Sequence, residues 1–368
     1  MSRSEVLTAR VVIIGLIFLG EFGILEAGLR LFGTMESNSA FQSLFISDDR
    51  IGHRLRPGIS VRYSTTEFSN DLTINGQGVR DDADIGPKGT DERRVLILGD
   101  SYVFAVQVPF SHTFGERLEV GLNASDPAQR WRVINGGVQG YGPVEEWLFY
   151  RHIASSFEPD IVLIVVSVAT DAVEAFDAKA KLELGRVPDQ TQVQRSRMQV
   201  RQIVRSSLVL QLARLRFDQL FARTFAGTSE RPLASYLEQP PSYVVDGLLT
   251  AERAFGYVTA HARKNGAKVA FVLMPARFQL RDEEYQGIAE NAEKKLLRHA
   301  ANERFARALG QLDEPMLDLL PIFSPLQDPQ SLYFVGNSHL TARGHRVVAE
   351  ALLDFMSRNR LIVMPARR

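Results

Sequence analysis

Three stretches of the chain, "RRVLILGDS" (residues 93–101), "PDIVLIVVSVATD" (159–171) and "AKVAFVLMP" (267–275), are apolar without the polar alternation of a half-exposed strand. A strand that is apolar at every position has to be covered on both faces. Helices crossing over between parallel strands provide that cover. Helical patterns stand in the right places: "ERLEVGLN" (116–123), "VEEWLFYRHIASSF" (144–157) and residues 247–264. Shorter strands are expected within "WRVINGGVQGYG" (131–142) and "MLDLL" (316–320), a long charged helix at 282–308, and a closing helix from Thr341, which caps it. The pattern predicts an α/β domain over 93–360, built as a three-layer sandwich around a central parallel sheet.

Two regions depart from this rhythm. Residues 172–243 read as a helical insertion; between Arg186 and Arg223 eight arginines face only Asp189 and Asp218, so one helix face is expected to be basic. Residues 34–92 are polar and turn-rich, and "SVRYSTTEF" and "LTINGQGVR" within them suggest hairpins in a lead-in or linker. Upstream, "VVIIGLIFLG" (11–20) is unbroken apolar sequence, and a helix from Val11 to Leu29 would be about 28 Å long, close to the thickness of a bilayer core. Residues 11–33 are therefore expected to form a transmembrane signal anchor. Arg3 and Arg10 place residues 1–10 in the cytoplasm and the body of the chain outside it, with 361–368 as a short tail. Glu21 and Glu26 support the alternative of an amphipathic helix packed on the domain.

Composition narrows the functions. Lysine plus arginine and aspartate plus glutamate each number 43, so no global field gathers nucleic acid, which is not an expected partner. Cysteine is absent, which removes disulfides, thiolate nucleophiles and cysteine zinc sites. The histidines lack ligand spacing, and "GGVQGYG" has no acidic ribose partner downstream, so neither a metal nor a nucleotide cofactor is expected.

The chemistry is carried by Ser101, presented where an apolar strand ends in Gly99-Asp100-Ser101. Ligands of open α/β sheets bind at the carboxyl ends of the strands. A helix starting there would aim backbone N–H groups at a developing oxyanion. Gly-Asp-Ser is also ordinary turn chemistry, so the serine needs a base. Of seven histidines, His53, His112, His152, His261 and His299 read as surface or packing residues and His345 as part of the closing helix. His339 alone lies in a loop before that helix.

Taken in order, Gly99-Asp100-Ser101, "NGGVQGYG" (135–142), "PDIVLIVVSVATD" and "NSHLTARGH" (337–345) resemble the four conserved blocks of the SGNH/GDSL hydrolases, over about residues 95–353. The nearest subgroup is bacterial, with an N-terminal membrane anchor and an extracytoplasmic hydrolase domain. The resemblance implies a flavodoxin-like SGNH fold with Ser101 as nucleophile, His339 as general base, and Ser101 and Gly140 as backbone oxyanion donors. It also implies a single-pass protein of the bacterial inner membrane with a periplasmic domain. The substrate it implies is an acyl ester, with O-acetyl groups on a surface polysaccharide as the candidate. Two positions depart from the family pattern. Thr170, before Asp171, replaces the usual asparagine donor, and Asn337 replaces the aspartate that supports the histidine. Asn337 can orient the imidazole, but it carries no charge and can hold the wrong tautomer. Asp171, Asp177 and Asp318 are candidates for a substitute carboxylate, and Asp100 and Asp171 for supporting roles. The expectation is a serine esterase, with a catalytically impaired carbohydrate-binding or assembly protein as the alternative. A third reading is a scaffold using Arg201, Arg205, Arg214 and Arg216.

Overall fold

The structure is a computed structural model and describes residues 20–28, 38–126, 128–187, 209 and 231–362. The chain divides into two compact units, one of Met1–Ser43 with Asp189–Thr228, the other of Leu44–Pro188 with Ser229–Arg368. In the first, residues 20–28 and Asn38–Ser43 are helical. The remainder of the expected anchor at 11–33 lies outside the described residues, as do Arg201, Arg205, Arg214 and Arg216 of the basic insertion. Among the described residues no helix is long and apolar enough to cross a membrane.

The second unit holds a five-stranded parallel sheet and two hairpins. The hairpins come first: β1 (Phe45–Asp48) with β2 (Gly52–Leu55), and β3 (Ile59–Ser64) with β4 (Ser69–Ile74). The sheet strands are β5 (Glu92–Gly99), β6 (Arg130–Gly137), β7 (Ile161–Ser167), β8 (Lys268–Met274) and β9 (Met316–Asp318), in the order β6-β5-β7-β8-β9. All four pairings are parallel. The order reverses between β5 and β7, so the crevice for a ligand opens at the carboxyl ends of those strands.

β7 is buried at all seven positions, as its continuous apolar run requires. One sheet face, with Val95, Ile97, Leu163, Val165 and Val272, packs on α2 (Phe114–Ser125) and α7 (Ala342–Arg358). Helices α3 (Pro143–His152), α4 (Asp171–Asp177) and α5 (Ser242–Lys264) pack together on the opposite side, where Phe255 of α5 meets Phe271 of β8. Each such fully buried aliphatic side chain contributes about 1.5–3 kcal/mol. The α/β architecture read from the sequence is thus the one observed.

The long helix expected at 282–308 is instead two, Asp282–Glu290 and α6 (Ala300–Leu309). The connecting segment is drawn out by the backbone around Tyr236, where Leu297 N–H donates to Tyr236 O at 2.8 Å and Glu238 N–H to Lys295 O at 2.9 Å. Tertiary backbone pairing has overridden a local helical pattern. Within the residues read as an insertion, 172–187, 209 and 231–243 are described, and most of α4 and the start of α5 belong to them.

Candidate active site

β5 ends at Gly99, and a one-turn helix, α1 (Ser101–Phe104), begins at once. The turn is too tight for a side chain on either neighbouring strand. A Cβ on Gly99, at φ +158°, would come 2.4 Å from Val103, and one on Gly137 would come 2.3 Å from the backbone nitrogen of Phe104. Asp100 caps the turn, its Oδ1 accepting the Tyr102 N–H at 2.8 Å. A helix does start at the end of the strand, as the sequence suggests; it is a single turn, and it offers the backbone N–H of its first residue, Ser101.

Ser101 Oγ lies 2.7 Å from His339 Nε2. On the far side of the ring, His339 Nδ1 is 2.5 Å from Asn337 Oδ1, and the same oxygen accepts the His339 backbone N–H at 3.1 Å. A backbone N–H can only donate, so the Asn337 atom facing His339 is the carbonyl oxygen. Nδ1 must then carry the ring proton, which leaves Nε2 free to accept from the serine. The concern that an asparagine would hold the wrong tautomer is thereby answered: the backbone fixes the amide and the amide fixes the ring. The charge deficit remains. Burial alone pulls the His339 pKa down to about 4.

No substitute carboxylate fills the gap among the described residues. Asp171 Oδ2 accepts the Ser167 N–H at 3.0 Å, Asp177 pairs with Arg231, and Asp318 accepts from Asn302 and from the Leu320 N–H.

The remaining predicted donors lie on the adjacent strand ends. β6 leaves the sheet with Gly137 paired to Gly99 and the Val138 N–H bonded to Gly99 O, so the loop carrying Gly140 starts beside the serine turn. Gly140 has φ +74°, a left-handed conformation suited to glycine, and its N–H makes no hydrogen bond among the described residues. It lines a cleft of about 200 Å³ with Glu145, Glu174, Asp177, Ala178 and Lys181. Thr170 stands after β7 at the start of α4, its hydroxyl buried beside the Glu174 carboxyl, whose pKa it helps to hold down.

Behind these loops sits a set of buried acids that the sequence reading did not single out as a group. Asp100 is pushed up to about 6 by burial. Glu174 is pushed up to about 8, by burial and then by Asp100 and Glu145. Glu146 and Asp171 are raised well above the carboxylate range, by burial first and then by the neighbouring carboxyls. Glu146 is fully buried, and neither carboxyl oxygen has a partner among the described residues.

The residues that hold the site were the ones sequence reading missed. The loop carrying His339 is fastened by Arg277, which donates to Phe334 O at 3.1 Å and to Val335 O, by Glu67, which accepts the Gly336 N–H at 2.8 Å, and by Tyr102, whose hydroxyl donates to Ser338 O at 2.9 Å. Arg80 is 1% exposed and donates to the carbonyls of Phe104, the last residue of α1, and of Ala105 and Val108 just beyond it. Asn70 donates to Val106 O at 3.0 Å. His53, read as a surface or packing residue, has Nε2 2.9 Å from Gln139 O. Four of these, His53, Glu67, Asn70 and Arg80, come from residues 34–92, so the lead-in packs directly on the serine, histidine and Gly140 loops. His345 does pack, stacked on Phe114 and accepting its N–H at 3.2 Å. Among the described residues no group of three or more His, Asp or Glu side chains could hold a metal ion.

No protein-family model and no curated protein matches the chain. Among solved structures it is similar to TesA, at 11% identity over 73% of this chain and 100% of that one, with a TM-score of 0.41. It is also similar to Axe2, an acetylxylan esterase from Geobacillus stearothermophilus, at 12% identity over 77% of this chain and 99% of that one, with a TM-score of 0.41. A two-domain esterase active on acetylated mannans matches at 13% identity over 75% of this chain and 52% of that one, with a TM-score of 0.40.

Proposed function

We propose that this chain is a serine esterase that hydrolyses or transfers an acyl group through an acyl-serine intermediate. The observation that carries the reading is the 2.7 Å contact between Ser101 Oγ and His339 Nε2, with the ring tautomer fixed by Asn337. In the first step His339 takes the serine proton as Oγ attacks the ester carbonyl, and then returns it to the leaving alcohol. Water, or an acceptor hydroxyl, repeats the cycle in reverse to release the acyl group. The N–H groups of Ser101 and Gly140 and the hydroxyl of Thr170 are assigned to the tetrahedral oxygen. The unpartnered state of Gly140 N–H among the described residues supports its assignment.

An acylated carbohydrate, with O-acetyl as the acyl group, is the proposed substrate class, and the domain is proposed to stand outside the bacterial inner membrane, anchored by residues 11–33. Both choices rest on the resemblance of the sequence motifs and on the apolar N-terminal segment. A second reading, a carbohydrate-binding or assembly protein that has lost catalysis, is favoured by one observation: no carboxylate among the described residues supports His339, whose pKa is drawn down to about 4.

A fluorophosphonate probe and p-nitrophenyl acetate, applied to the wild type and to Ser101→Ala, decide between the two. Labelling and turnover that vanish in the variant establish the esterase. A folded wild type that takes no label and turns over no ester leaves the binding protein.

A further inference from the structure

The carbonyl of Gln139 and the N–H of Gly140 belong to one peptide group, so whatever holds the carbonyl also aims the N–H. His53, on β2, places Nε2 2.9 Å from Gln139 O. The partner is a carbonyl oxygen, so Nε2 carries the hydrogen and the bond runs from the imidazole to the peptide. The attachment is reciprocal. Tyr141, the residue after Gly140, donates its hydroxyl to His53 O at 2.7 Å. The His53 and Tyr141 rings meet edge to face at 5.2 Å, and Phe45 packs on the imidazole in a second edge-to-face contact at 5.7 Å.

This peptide needs such a restraint. Glycine accepts φ of either sign, so the plane between Gln139 and Gly140 can rotate at small steric cost, and a Cβ on Gly140 would meet nothing within 4 Å. No packing therefore prevents the rotation from that side. A rotation would swing the unpartnered Gly140 N–H out of the position it now holds. A hydrogen bond to the carbonyl side of an amide also polarises its N–H, making it a stronger donor.

We infer that His53 is a positioning residue for the oxyanion hole: through Gln139 O it fixes the Gln139–Gly140 peptide so that Gly140 N–H faces the acyl oxygen on Ser101. The inference rests on the esterase reading above. It gives the hairpin β1–β2 a role in catalysis although it contributes no group that touches substrate.

The test compares full-length wild type, His53→Ala and His53→Gln; the glutamine side chain can present an N–H in nearly the place of the imidazole Nε2. Three quantities are read: kcat and KM for p-nitrophenyl acetate, the melting temperature, and hydrogen–deuterium exchange of the peptide spanning residues 138–142. In that peptide the Val138 and Tyr141 amides are bonded to Gly99 O and Val138 O. His53→Ala is expected to lower kcat by about 10²-fold with KM within about twofold, as misplacing one donor does, and to speed exchange in 138–142 alone. His53→Gln is expected to recover most of both. A folded His53→Ala with wild-type kcat overturns the inference, and so does a loss that glutamine leaves unrecovered. If the wild type is inert, the esterase reading falls, and exchange decides by itself: loosening in His53→Ala reversed by glutamine upholds the fixing of the peptide, and unchanged exchange overturns it.

Discussion

The substitution Asn337→Asp asks how much a single missing charge costs this site. In the wild type, His339 is desolvated, its pKa lies near 4, and its Nδ1 is 2.5 Å from an uncharged oxygen. A carboxylate in the same position keeps both hydrogen bonds, to Nδ1 and to the His339 backbone N–H, and adds an opposite charge in contact with the ring. Such a neighbour raises a pKa by about 1–3 units. His339 should then titrate between about 5 and 7. Each unit corresponds to about 1.4 kcal/mol in favour of the imidazolium. Since the imidazolium forms on the way to the tetrahedral intermediate, kcat on the plateau should rise by about 10- to 10³-fold. The corresponding loss on removing the aspartate of a serine protease, about 10⁴, sets an upper bound. The assay is kcat for p-nitrophenyl acetate from pH 3.5 to 9 in both proteins. The wild type is expected to keep its activity down to about pH 4, because its base stays unprotonated until then. In Asn337→Asp the acid limb should move upward by the same 1–3 units while the plateau climbs. A variant whose acid limb and plateau both coincide with the wild type would refute the argument that His339 lacks charge support.

Three further outcomes follow from the same geometry. Thr170→Val should lower kcat by about 10²-fold with little change in KM, and Thr170→Asn should match or exceed wild type; steady-state kinetics on all three proteins checks this. Arg80→Met leaves the Phe104, Ala105 and Val108 carbonyls without their donor, and urea unfolding should show a loss of about 2–5 kcal/mol; a loss below about 0.5 kcal/mol would contradict the bracing assigned to Arg80. Glu146→Gln addresses the buried acids. The folded state binds the Glu146 proton more tightly than the unfolded chain does, so the wild type loses stability as pH rises above the ordinary value of 4.5. Relative to Glu146→Gln, that loss should reach up to about 1.4 kcal/mol per pH unit, and denaturation curves at pH 5, 7 and 9 that stay parallel for the two proteins would count against the raised pKa.

The reading of the sheet from sequence succeeded where one local property settles the outcome. A strand such as β7, apolar at every position, has few environments open to it, and its neighbours inherit the parallel order. Ser101 and His339 were legible for a related reason: each is a reactive side chain standing where a strand or loop delivers it to one end of the sheet. His53 and Glu67 were not legible, because their partners lie 86 and 269 residues away and no periodicity records such contacts. A polar, turn-rich segment looks the same whether it connects two bodies or clasps one of them. The single helix expected at 282–308 failed on a similar long-range term, the backbone pairing to Tyr236 and Glu238. The fixed tautomer of His339 depends on one backbone N–H, which no side-chain pattern reports.

The fastening of the His339 loop by Glu67 and Tyr102 also bears on how the site comes into being. Glu67 reaches Gly336 across 269 residues, Tyr102 reaches Ser338 across 236, and Ser101 meets His339 across 238. Contacts so distant along the chain are entropically late ones, reached after the local structure between them has formed. During synthesis from the N-terminus, Ser101 leaves the ribosome long before its base does. A chain released short of residue 339 carries a serine with no base, whatever else of it has folded. The proposed ester hydrolysis therefore requires that the chain be made through residue 339.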